Sequence, residues 1–308
     1  MAEVTRVSVE IAGTEISLET GKMARQASGA VLVTAGETMV LCTATAGNIR
    51  DVDFLPLTVD VEERMYAAGK IPGSFFKREG RAGEKGTLTA RMIDRPLRPL
   101  FPKGWRYETQ LVAIPLSIDH VNPYDILAMN GASAALQISQ IPVPEAVGAV
   151  RIGKIDGNFV VNPSEEDLLE NTDLDLVVAG TDDAILMVEA GANEISEAEI
   201  LDALDIAHDE IKKLTALQRE LAQKVGKEKL EVEVPKVDEK LLEEIRKSHG
   251  KALDEATQVE DKLERQEASK AVEAAVLEQY APAPSEGDAA DEYSARRAAV
   301  QLAFDALE

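Results

Sequence analysis

The residues of this chain whose types and spacing could do chemistry gather between positions 72 and 106, in PGSFFKREGRAGEKGTLTARMIDRPLRPLFPKGWR. Phe75 and Phe76 run into Lys77 and Arg78, and Arg91, Arg95 and Arg98 follow at spacings i, i+4 and i+7. Aromatic faces stack nucleobases for roughly 1–3 kcal/mol each while neighbouring cations hold the phosphates. Guanidinium forks match phosphate oxygens, and Arg95 with Arg98 is the pair best placed for a polyphosphate backbone if the helix continues past Pro96. Two other readings compete. Phe75-Phe76 could be a hydrophobic staple folding a glycine-rich loop onto the body, and the arginines could pair with the chain's many carboxylates. From Phe75 to Arg106 nine Lys/Arg stand against three acids, within 308 residues whose formal net charge is −23. Such asymmetry suggests a focused anion site on a repelling body.

Other candidates carry less. GRAGEKGT at 80–87 looks like a phosphate-binding P-loop but sets Lys85 before Gly86 and has no apolar strand ahead of it. His120, His208 and His249 are far apart, with no metal-ligand spacing. His208 and His249 read as solvated residues of charged helices, and His120 ends a strand. Ser117 and Ser133 lie in no nucleophile elbow. Glu62-Glu63 and Asp182-Asp183 read as loop or strand-end acids without a general acid/base role.

The elements that must position the basic stretch follow from periodicity. TRVSVEIAGTEISLETG alternates and turns at Ala12-Gly13, a hairpin, and GAVLVTAGETMVLCTATAG repeats the plan across Ala35-Gly36-Glu37. FLPLTVDVEER and TQLVAIPLSID are strands on either side of the basic stretch, whose second half is helical at least to Asp94. NPYDILAMNGASAALQIS predicts a helix with Asn122 as N-cap and Pro123 at its first position. Its small residues, Gly131 to Ala134, predict close packing on a sheet. Two more hairpins turn at Asp156-Gly157 and Thr181-Asp182-Asp183. A long helix opens at Ser196 with a Ser196/Glu199 capping box and closes at Gly226. Past EVEVPKV the β-branched runs cease. Residues 238 to 280 read as helices, 281–291 as an exposed loop and the remainder as a last helix. The expected class is α+β with a mixed sheet: a first domain over 1–225, a linker at 226–235 and an all-helical domain over 236–308. The final helix reads as cut rather than finished.

Composition sets the class and compartment. A hydrophobic fraction of 45% suffices for a core. The single cysteine, Cys42, sits in an apolar β-branched run, reads as a buried strand residue and suits a reducing compartment. The N-terminus has no signal-peptide pattern and no run of eighteen apolar residues occurs, so a soluble cytoplasmic protein is expected, with no membrane contact.

With these residues in view the chain resembles the first core domain of the polynucleotide phosphorylase family. FLPLTVDVEERMYAAGKIPGSFFKREGR, LTARMIDRPLRPLFPKG, YDILAMNGASAAL and the helical segment after it carry the likeness. The resemblance implies a ribonuclease-PH-like fold and a trimeric ring that degrades single-stranded RNA from its 3′ end, as in mRNA turnover. Inorganic phosphate is the co-substrate and nucleoside diphosphates are released. It implies that Phe75, Phe76, Lys77 and Arg78 match a loop lining the pore entrance, with lysine where arginine is common. Arg95 and Arg98 match a segment facing RNA near the active site, and Arg91 shares their helix. It also implies that the catalytic aspartate, the phosphate-holding serines and the magnesium ligands belong to a second core absent from this sequence, as do KH and OB-fold modules. No catalytic or metal residue is therefore assigned here. A homotrimer and membership of an RNA-degradation complex are the implied assemblies. The alternative is a non-catalytic RNA-binding subunit of an exosome-type ring.

Overall fold

The structure, a computed structural model, describes residues 4–50, 52, 54–73, 79–170, 172–232, 236–282 and 290–307. The chain divides into two compact units, Met1–Val234 and Pro235–Glu308. The first is α+β. Its six-stranded sheet contains β1 (Thr5–Ile11), β2 (Thr14–Thr20), β3 (Gly29–Ala35), β4 (Thr38–Ile49), β5 (Leu57–Val61) and β6 (Tyr107–Ser117), in the order β1-β2-β3-β4-β6-β5. The β1–β2 turn holds Ala12 and Gly13 at φ 48° and 83°, the two successive left-handed residues that a tight hairpin of this twist requires. All pairings in this sheet are antiparallel except β5 with β6. Parallel neighbours need a crossover, and here the crossover carries α1 (Glu84–Leu97). The second half of the basic stretch thus forms the helix that carries the chain back along the sheet between β5 and β6.

Helix α1 buries Gly86, Thr89, Ile93, Pro96 and Leu97, one face at helical spacing, and leaves Leu88, Arg91 and Arg95 on the opposite face. It ends at Leu97, one residue after Pro96, and a 3-10 turn, Arg98–Leu100, follows. The second helix, α2 (Tyr124–Ile138), is buried at all fifteen residues and packs on β3 and β4. A Cβ at Gly131 would stand 2.5 Å from both Cys42 Sγ and Val33 Cγ2, so only glycine allows this approach. Cys42 is fully buried, which pushes its thiol pKa upward.

The expected cap of α2 is corrected. Pro123, not Asn122, occupies the N-cap position, with no side-chain cap bond. Asn122 is drawn off by Asp119, which accepts from the Asn122 backbone and side-chain amides, each at 2.8 Å.

A four-stranded antiparallel sheet holds β7 (Gly148–Ile155), β8 (Asn158–Val161), β9 (Thr172–Gly180) and β10 (Ile185–Ala192), in the order β10-β9-β7-β8, with the short α3 (Glu165–Glu170) between β8 and β9. Helix α4 (Glu197–Val225) opens on the Ser196/Glu199 capping box and buries Ala203, Ala207, Ile211, Leu214 and Leu221 against this layer and α2. His208 is corrected from solvated to half-buried, its Nε2 lying 3.1 Å from Thr181 O at the β9–β10 turn. Asp182 there accepts from Thr215 and pairs with Arg219, a structural role. Residues 226–232, which read as linker, run along the end of α2. Lys227 N donates to Ile138 O at 3.1 Å, and Lys229 Nζ donates to the Leu136, Gln137 and Ser139 carbonyls at 2.9–3.0 Å.

The second unit contains α5 (Glu239–Thr257), α6 (Lys262–Tyr280) and α7 (Ala290–Asp305), with no strand among its described residues. Asp238 and Asp261 cap α5 and α6, and Ile245, Leu253, Val276, Val300 and Phe304 form its core. His249 is partly exposed, its Nδ1 2.9 Å from Ser248 Oγ. Among the described residues no helix is long and apolar enough to cross a membrane.

Candidate nucleic-acid interface

The exposed face of α1 forms one wall of a cleft of about 710 Å³. Lys85, Leu88, Arg91, Met92 and Arg95 come from α1, Asp125 from the first turn of α2, Arg151 from β7 and Glu189 from β10. The volume is within the ordinary range for a ligand site. Four cations and, with Glu84, three carboxylates line it, so it is less positive than the linear count of basic residues implied.

The arginines separate. Arg91 is exposed on the cleft and has no ion pair among the described residues. Arg95 pairs with Glu189 on β10, and its Nη2 lies 3.4 Å from Val188 O. Arg98 does not line the cleft. With α1 finished at Leu97, its guanidinium turns back to grip both oxygens of Asp94 at 2.7 and 2.8 Å and to reach Leu57 O at 3.2 Å. The hydrogen bonds to Asp94 raise its pKa further. In this structure Arg95 therefore shares the cleft with Arg91, and carboxylate pairing, the competing sequence reading, describes both Arg95 and Arg98. The physical reason is the acidic composition, which sets a carboxylate on or beside nearly every element α1 touches.

Lys85 stands at the other end of the cleft. It donates to Glu165 at 2.9 Å and lies 4.9 Å from the centroid of the Tyr124 ring. Burial raises Glu165, but Lys85 and then His120 outweigh it and hold the carboxyl below its ordinary range. The Tyr124 hydroxyl donates to Glu63 at 2.8 Å; burial, then this contact, pushes its pKa up. Glu63 in turn lies against the first turn of α1, 3.0 Å from where a Gly86 Cβ would be.

Sequence reasoning missed Arg151. It is 9% exposed, with Nη2 2.9 Å from Asp125 and Nε 3.1 Å from Asp175, the latter not aligned as a hydrogen bond. Burial raises Asp175, and Arg151 opposes that shift. A lone arginine within the apolar run GAVRIGKI was the available signal, since a buried charge must find a partner. Phe75, Phe76, Lys77 and Arg78 lie outside the described residues. Among those described, no three His, Cys, Asp or Glu side chains are grouped to hold a metal ion.

Residues 13–142 match the 3′ exoribonuclease family, domain 1, and residues 145–210 match domain 2 of that family. The polyribonucleotide nucleotidyltransferase of Halothermothrix orenii is 50% identical over 259 residues, covering 84% of this chain and 37% of the relative. That of Halalkalibacterium halodurans is 50% identical over 274 residues, 89% of this chain and 39% of the relative. The chain thus spans about two-fifths of the length of these relatives. Among solved structures, rice (Oryza sativa) Rrp46 is similar with a TM-score of 0.51 at 13% identity, covering 71% of this chain and 93% of that one, a likeness of fold.

Proposed function

We propose that this chain, which belongs to the 3′ exoribonuclease family, supplies RNA-contact surface to a phosphorolytic 3′-to-5′ exoribonuclease. The observation that carries the reading is the exposed α1 face, which sets Lys85, Arg91 and Arg95 along one cleft of a strongly acidic chain. Inorganic phosphate is the proposed attacking group, nucleoside diphosphates the products and magnesium the metal, with catalytic and metal residues outside this sequence. Residues 1–225 form the ribonuclease-PH-like core of the proposal, 226–235 a linker and 236–308 the helical domain. A cytoplasmic homotrimer within an RNA-degradation complex is the proposed setting.

In this reading the chain's own residues bind and orient. Arg91 and Arg95 take phosphate oxygens, Lys85 adds a point charge, and Phe75 and Phe76 stack bases beside Lys77 and Arg78. Arg98 joins the phosphate track only by leaving Asp94. The test is binding of single-stranded oligo(A) to the 308-residue chain at several salt concentrations. Arg91→Ala and Arg95→Ala are expected to weaken binding and each to lower the salt slope by about 0.7. Phe75→Ala with Phe76→Ala is expected to cost roughly 1–3 kcal/mol per lost stacked base with the slope unchanged. Unchanged affinity in both arginine variants overturns the reading of α1. Unchanged affinity with a lower melting temperature in the phenylalanine variant restores the staple.

A further inference from the structure

The cleft beside α1 brings its own anions. Glu189, on the edge strand β10, pairs with Arg95, whose guanidinium also reaches the neighbouring carbonyl of Val188. At the other end Glu165 of α3 holds Lys85 at 2.9 Å. Both carboxylates come from elements remote in sequence from α1, so the fold itself delivers a counter-charge to each end of the basic face, with Arg91 between them.

We infer that Glu189 is an internal competitor for the phosphate that Arg95 binds, and so sets how strongly this face holds a polyanion; the inference rests on the proposed RNA reading of α1. A carboxylate and a phosphate oxygen accept from the same guanidinium N–H groups, so a ligand reaching Arg95 must displace Glu189. The pair is open to exchange, with Arg95 45% and Glu189 57% exposed, and an exposed ion pair of this kind is weak. Once displaced, the carboxylate stands beside the incoming polyanion and repels it. A ligand with one phosphate exchanges one contact for another and gains little at Arg95. A strand that also engages Arg91 gains a contact without exchange. Glu189 therefore raises the threshold that any phosphate must exceed to hold Arg95.

The test is a four-protein cycle on the intact chain: wild type, Glu189→Gln, Arg95→Ala and the double variant, titrated with fluorescein-labelled single-stranded oligo(A). Glu189→Gln is expected to tighten binding about two- to fivefold, and this gain is expected to vanish in the Arg95→Ala background. If Arg95→Ala weakens binding but Glu189→Gln leaves it unchanged, the competitor role falls and the RNA reading stands. A gain of equal size in both backgrounds also overturns it, since the effect is then bulk charge. If Arg95→Ala itself leaves affinity unchanged, the contribution of Arg95 to the RNA reading falls and the inference falls with it. All four proteins differ only at exposed side chains, and coincident thermal unfolding curves check that affinity rather than folding is being read.

Discussion

Asp119 joins two segments of backbone through one carboxylate. It accepts from Glu37 N at 3.1 Å and from Thr38 Oγ1, Val121 N, Asn122 N and Asn122 Nδ2, each at 2.8 Å. The β3–β4 turn is thereby tied to the segment between β6 and α2. Gly36, at φ 56°, leaves the room, since a Cβ there would stand 2.7–2.8 Å from Asn122 Nδ2 and Asp119 Oδ2. Partial burial raises the Asp119 pKa, but the bonds from Asn122, Val121 and Thr38 outweigh it and hold the carboxyl well below its ordinary range. A depressed folded pKa means stability that is present above the unfolded value near 3.9 and is lost as pH falls through the folded one. Asp119→Ala is expected to lose about 1–3 kcal/mol at neutral pH, read by urea unfolding, with the difference from wild type shrinking in acid. The spacing of Arg91, Arg95 and Arg98 was legible from sequence. Asp119 and Arg151 were not, because Glu37 and Thr38 reach Asp119, and Asp125 and Asp175 reach Arg151, from other elements, and Asn122 read as a cap because its own partner, Asp119, went unrecognised.

At the scale of elements, the hairpins at Ala12-Gly13 and Asp156-Gly157 were legible, since alternation and turn chemistry agree there. So was the close approach of α2 to the sheet, from its small residues. Gly131→Ala makes the argument quantitative. Alanine gains up to about 1 kcal/mol in helix propensity, but overpacking against Cys42 and Val33 costs about 1–3 kcal/mol. Net destabilisation is expected, and a raised urea midpoint counts against the packing account. The end of α1 was less legible. Pro96 made continuation uncertain, yet it stands one residue from the terminus, where its missing N–H removes one ladder bond. The ladder continues past it to Arg98 N–H on Asp94 O, and it is Pro99, with no N–H for Arg95 O, that stops the helix there.

For the whole molecule, the proposal puts catalysis outside this sequence. The 308-residue chain, given poly(A), phosphate and magnesium, is expected to release no nucleoside diphosphate, and chromatographic detection of that product from the pure chain overturns the assignment. The crossover that carries α1 also has a consequence in time. Neighbours in the β1–β2 and β3–β4 hairpins meet after only a short stretch of chain, whereas Leu57 of β5 must find Thr109 of β6 across the whole basic segment. Closing that longer loop costs more entropy before any pairing rewards it. In pulse-labelled hydrogen exchange the two hairpins should therefore gain protection first and β5 later, so that a refolding chain possesses its frame before it possesses its basic face.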